Sequence, residues 1–192
     1  MRPRSLRKWV GLRSENAVHR VAVEWDSPAG IKTGVYIPRR DSDSIINVAV
    51  GGRLFPGEHH RADFEVSESS EQIRVAFAAR DGSAEVDVTV KLEDQLRGSR
   101  LFSDTDAASA FFERGSVGFS ETHDPTRFDG LALHTDAWRV SAAEVLAAHS
   151  SFFSDTSAFP TGSAQLDCAL VMRRIPVTWE ALAPLHAPAG RP

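Results

Sequence analysis

Cysteine occurs once, at Cys168, so no intramolecular disulfide can brace the fold. No window approaches the run of roughly 18 apolar residues that a membrane-spanning helix requires. Positive charge is not in excess: 22 Lys and Arg stand against 26 Asp and Glu, for a net charge of -4. That balance excludes nucleic-acid or anionic-membrane binding by bulk attraction. Internal repeats, heptads and long Ser/Gly linkers are missing. The start, MRPRSLRKWVGL, is basic but lacks the apolar stretch of about 7 to 15 residues and the small-residue cleavage site of an export signal. A cytoplasmic protein with a solvated basic arm over residues 1–10 is the expectation. What is present suffices for folding: 192 residues, 42% hydrophobic and 25% charged, can bury a substantial core as one domain without metal or disulfide.

Glycine and proline punctuate short apolar stretches, the pattern of a β-rich chain. In AVHRVAVEW, residues 17–25, strict alternation sets His19, Val21, Val23 and Trp25 on one face. IKTGVYI follows, and Pro38, with no N–H to donate, is expected to end that ladder before a polar loop, RRDSDS. IINVAV reads as a further strand running into a bend at Gly51 and Gly52. ADFEVSE, QIRVAFAA and AEVDVTVKL alternate throughout, and the last two flank an Asp81-Gly82 turn. In SDTDAASAFFERG the period changes to that of a helix, expected over 104–114, with Ser103 able to cap it. Phe111 and Phe112 are expected to pin that helix over an open end of the sheet.

LALHTDAWRV alternates as a strand, whereas SAAEVLAAHSSFF carries a capping-box signature at Ser141 and Glu144 that local propensity reads as helix. SAQLDCALVMRRIPVTW reads as one long final strand, and residues 181–192 as a flexible tail. Seven or more strands with one short helix imply a closed or nearly closed antiparallel barrel, because closure removes sheet edges.

LRSENAVHR, GVYIPRRDSDS, GGRLFPGEHH, FFERGSVGFS, SSFFSDTSAFPTGS and DCALVMRRI, in that order across residues 11–180, resemble a bacterial family of unassigned function within the acetoacetate decarboxylase-like superfamily. The resemblance implies a mainly β fold, a double-layered, cone-shaped antiparallel β-barrel around a ligand cavity. It also favours strand over helix for residues 143–152. Against that family the chain starts late, so one side of the cavity is expected to be open or filled by a partner copy, a homo-oligomer. The superfamily's namesake forms a Schiff base through one of two adjacent lysines that follow a Phe-Pro step, the reacting amine being activated by the cation beside it. Here Phe55-Pro56 leads instead into Gly57, Glu58, His59 and His60, and the only lysines are Lys8, Lys32 and Lys91. Histidine cannot form the iminium, so decarboxylation by that route is disfavoured.

The expected chemistry therefore runs through imidazole, carboxylate and guanidinium groups. Glu58, His59 and His60 follow a Gly-Gly bend and a rigid Phe-Pro step, and a histidine there can exchange protons near neutral pH. The alternative is a polar turn in water, and a regular strand would not let both histidines face inward. Glu15 and His19 share strand parity, and the resemblance places an acidic residue such as Glu15 at the cavity; the alternative is a capped strand start with His19 in a satisfied hydrogen bond. Arg53 can clamp a substrate carboxylate, or pair with Glu58 for structure alone. Arg114 and Ser116 could assist at a lid, although the helix dipole by itself explains an arginine at that end. Adjacent histidines do not match zinc-protease spacing, so neither a metal nor a cofactor is expected. Cys168, within DCALVM, reads as a small packed hydrophobe. Two functions follow: an enolising or lyase-type enzyme for a small carbonyl or keto acid that lacks a Schiff-base lysine, or a noncatalytic small-molecule-binding barrel. A structural subunit pairing through an open barrel edge is a third.

Overall fold

A computed structural model describes residues 13–27, 30–50 and 57–187. Along the chain come β1 (Asn16–Ser27), β2 (Gly30–Ser42), α1 (Ile45–Val50), β3 (His60–Glu68), β4 (Gln72–Ala79) and β5 (Glu85–Glu93). Then follow α2 (Thr105–Arg114), β6 (Val117–Glu121), β7 (Arg127–His134), β8 (Ser141–Ser150), α3 (Ser151–Ser154), β9 (Ala169–Val171) and β10 (Thr178–His186). The protein is mainly β. The chain separates into two compact units. The first takes the described residues of Met1–Arg61, Arg114–Asp136 and Pro176–Pro192, and the second takes Ala62–Glu113 and Ala137–Ile175.

In the first unit β10, β7, β6 and β2 lie side by side, with β1 antiparallel along one edge of β2 from end to end. Because β1 fills that edge, β6 and β3 must share the other. β6 pairs there in parallel at Val35–Ile37, and the first residues of β3 pair in parallel at Asp41 and Ser42. The sheet is thus mixed rather than purely antiparallel. Pro38 does not end β2. The register shifts between His19↔Arg39 and Val21↔Tyr36, so Arg20 faces both Ile37 and Pro38. This bulge absorbs the residue that cannot donate, and the strand continues to Ser42. On β1 His19 is buried and Val23 and Trp25 are half-buried between exposed neighbours, as the alternation predicts, whereas Val21 beside the bulge is exposed. Trp25 meets Phe119 edge-on at 5.4 Å, and Ile37, Phe119 and Ala132 form the apolar core beside them.

IINVAV is not a strand but the single short helix α1. Ser44 starts it by accepting the Asn47 N–H on its hydroxyl at 3.2 Å, which offers the backbone a turn instead of a ladder. The expected tail is likewise ordered through His186, because β10 pairs with β7 from Thr178↔His134 to His186↔Arg127.

The second unit is a five-stranded antiparallel sheet in the order β3-β4-β5-β8-β9. Its hairpins keep the alternation read from the sequence, with Gly82 at φ +71° in the turn. Residues 141–150 form a strand, since pairing with both β5 and β9 outweighs local helix propensity. α2 forms where expected, but its cap is Asp104, whose carboxylate accepts the Ala107 N–H at 2.8 Å. Phe111 and Phe112 do not pin it over the sheet. They are exposed and lie against Phe102 with ring centres 5.4 and 6.1 Å away, and Ala108 takes the buried side. The long final strand is also broken: Arg174 sits at φ 54° and Pro176 follows, so only Ala169–Val171 pair before β10.

Neither unit closes by backbone hydrogen bonds among the described residues, where β9 and β10 each have one partner strand. Side chains do join the two ends of the second unit's sheet. Just past β9, Arg173 donates through Nε to Glu68 Oε1 at 2.7 Å, at the end of β3, and through Nη2 to the Ser69 carbonyl at 3.3 Å. One arginine side chain thus bridges the ends of the two outer strands. No helix among the described residues is long and apolar enough to cross a membrane.

Candidate functional site

The first unit's polar centre grows from the gap along β2. Between the β6 pairing at Val35–Ile37 and the β3 pairing at Asp41 and Ser42, the residues Pro38, Arg39 and Arg40 have no strand beside them on that edge. A cavity of about 70 Å³ lies there, lined by Ile37, Pro38, Arg39, Arg40, Glu58, His60, Ser120 and Glu121.

The arginines that line it are held differently. Arg39 makes a two-pronged contact with Asp41, Nε to Oδ2 at 2.9 Å and Nη2 to Oδ1 at 2.7 Å, and the Asp41 side chain is fully buried. Arg40, only 9% exposed, donates Nε to the Ser120 hydroxyl at 2.9 Å, and no carboxylate among the described residues pairs with it. Burial, with the like charge of Arg20 added, pushes its guanidinium down to about 10. A desolvated cation without a counter-ion is costly, and an anion entering the cavity would relieve that cost.

Gly57 makes this packing possible. Its φ is +78°, and a Cβ there would lie 2.4 Å from Ser120 Cβ and 3.3 Å from Arg40 Nε. Its carbonyl lies 3.2 Å from His59 Nδ1. Burial foremost, then the Arg40 charge, pull His59 below the ordinary imidazole pKa, against opposing effects of the Gly57 carbonyl and Asp41. His60 lines the cavity from the first position of β3, opposite Asp41. His59 precedes the strand, so strand alternation does not force the two rings apart. Glu58 reaches the rim, where its Oε1 meets Nδ1 of exposed His123 at 2.7 Å. Glu121, which also lines the cavity, accepts a hydrogen bond from the Tyr36 hydroxyl.

Of the residues singled out in the sequence, the cavity gathers Glu58 and His60, with His59 within the field of Arg40. His19 is buried on β1 opposite Arg39, and burial lowers its pKa despite the attraction of Asp41. Glu15 stays outside, its carboxylate 3.8 Å from Arg13. Ser116 lines a separate crevice of about 10 Å³ that also touches Arg20 and Arg40. Arg114 is exposed at the end of α2, and Arg53 lies outside the described residues. Sequence reasoning misses Arg40 and Ser120. The one sequence signal for Arg40 is its place two residues after Pro38 in the Arg39-Arg40-Asp41 run that follows an apolar strand. Among the described residues no group of three or more His, Cys, Asp or Glu side chains is placed to hold a metal ion. No family model, curated protein or solved structure matches the chain.

The lowered histidines give stability a pH signature. With their folded pKa values below the unfolded value of about 6.5, protons bind the unfolded chain first as pH falls, so their contribution is complete above that value and is lost on acidification. The urea midpoint is expected to fall from pH 6.5 to 5, and His59→Gln should flatten the profile. An unchanged slope in that variant would mean that His59 is solvated like a surface imidazole.

Proposed function

We propose that the first unit binds the carboxylate of a small carbonyl compound or keto acid at Arg40, and that His60, with Glu58 at the rim, moves a proton at the adjacent carbon. The observation that carries this reading is the buried Arg40 guanidinium, with no acid partner among the described residues, facing a cavity lined also by imidazole and carboxylate. One water accounts for about 30 Å³, so a space of about 70 Å³ suits a carboxylate head group. Ser120 fixes the Nε side of the guanidinium, leaving its terminal nitrogens for the ligand.

The two lysines among the described residues favour chemistry without an amine. Lys91 is exposed and its pKa is raised by a 2.8 Å hydrogen bond to Glu93, whereas a Schiff-base lysine needs a lowered one. Lys32 is exposed on β2. On this reading the protein is an acetoacetate decarboxylase-like, lyase-type or enolising enzyme without the amine, with Arg40 in the clamping role expected of Arg53. The small cavity favours a second reading, a noncatalytic binding site for the same head group.

Calorimetric titration with pyruvate and acetoacetate tests the site. Arg40→Gln should weaken binding about 10- to 100-fold and leave the unliganded fold as stable or more stable, since it removes an uncompensated buried charge. Equal pyruvate affinity in that variant overturns the proposal. Exchange of pyruvate methyl protons with D₂O, followed by NMR and slowed in His60→Ala, distinguishes the enzyme. Binding without exchange leaves the ligand-binding reading.

A further inference from the structure

The second unit carries a larger hollow that the proposed keto-acid site does not use. Two cross-strand rows line the concave face of its sheet: Val66, Val75 and Val88 stand in register across β3, β4 and β5, and Glu68, Ile73 and Val90 form the next row. Leu170, Val171 and Met172 line the same space from the segment that Arg173 ties to Glu68, and this open groove has a volume of about 1080 Å³. That is slightly above the usual range of small-molecule pockets, about 300 to 1,000 Å³. The aliphatic walls offer no specific polar partner. Polar groups gather at one end, where Ser69, Ser70 and Arg174 also line the space. Arg173 is engaged by Glu68, whereas Arg174 is exposed with no acid partner among the described residues. Its φ of 54° is a conformation a non-glycine residue rarely adopts, and it holds this second cation at the wall.

We infer that this groove binds a medium-chain aliphatic carboxylate, the alkyl chain lying along the valine rows and the head group at Arg174. The Val66, Val75, Val88 and Val90 side chains supply dispersion and hydrophobic contact, and the Arg174 cation sets the direction of entry. This site is independent of Arg40: no residue lines both cavities.

Calorimetry with butyrate, hexanoate, octanoate and decanoate, each below its micelle concentration, tests the inference on the full chain. Affinity should rise about fourfold per added methylene, the fold-change that corresponds to about 0.8 kcal/mol of apolar burial. Octanol should bind octanoate's site about fivefold more weakly, and Arg174→Gln should weaken octanoate by a similar factor, because its charge lies near solvent. Methyl resonances of Val75, Val88 and Val90 should shift on titration with octanoate, and Val75→Glu should abolish binding. Arg174 is exposed, so its variant tests the head group even where Val75→Glu compromises folding. No saturable octanoate binding, affinity independent of chain length, or valine methyls that stay unshifted would each overturn the assignment. Equal affinity for octanol and octanoate would overturn the carboxylate.

Discussion

Replacing Asp41 with alanine is expected to lower folding stability by about 3–5 kcal/mol, the cost of breaking a buried ion pair from one side. The Asp41 side chain is fully buried and that of Arg39 is 10% exposed, so water cannot take over the lost contact cheaply. The carboxylate also faces His19 and His59, whose protonated forms it favours. Urea denaturation at pH 7 measures the loss. A companion variant carrying Arg39→Met together with Asp41→Leu should recover most of it, since apolar groups of similar volume need no counter-charge. A loss of under about 1 kcal/mol for Asp41→Ala, the range of solvent-exposed pairs, would show that water reaches this pair in solution.

Gly57→Ala should be nearly as damaging. The left-handed backbone alone costs a side chain about 1–2 kcal/mol, and the new Cβ, 2.4 Å from Ser120 Cβ, must push a buried residue aside. Together these are expected to cost about 3 kcal/mol. Binding should suffer separately, because displaced Ser120 no longer orients Arg40. The steric share can be isolated: Gly57→Ala combined with Ser120→Gly removes the clash but keeps the strained φ, so it should regain stability without regaining pyruvate affinity. If Gly57→Ala melts like the unmodified protein, the close approach of residue 57 to Ser120 is wrong.

What the sequence discloses depends on how far each residue's partner lies along the chain. The β3, β4 and β5 hairpins are legible because short turns and two-residue alternation are local properties, and residues 105–114 announce a helix through their acidic start and changed period. The Arg39-Arg40-Asp41-Ser42 run reads as a solvated loop. It is instead the buried end of β2, stabilised by Arg39 on Asp41 and by Arg40 on Ser120, a contact 80 residues away. Pro38 misleads for a related reason: a bulge set by pairing with β1 accommodates it, and no local rule contains that partner. The candidate site is accordingly half legible. Glu58 and His60 stand out beside glycine and proline punctuation, whereas Arg40 and Ser120 acquire meaning only when β6 is laid along β2.

The order in which the chain is made has a consequence for the first unit, which is assembled from three separate stretches of sequence. β7 acquires β10 only after residues 178–186 exist, whereas the β3, β4 and β5 meander needs only neighbouring segments. During synthesis the meander can therefore form early, while the half-built first unit leaves β7 as an unpaired edge until the last strand emerges from the ribosome. Truncation just before Trp179 would make that transient state permanent, with a bare strand free to recruit another chain.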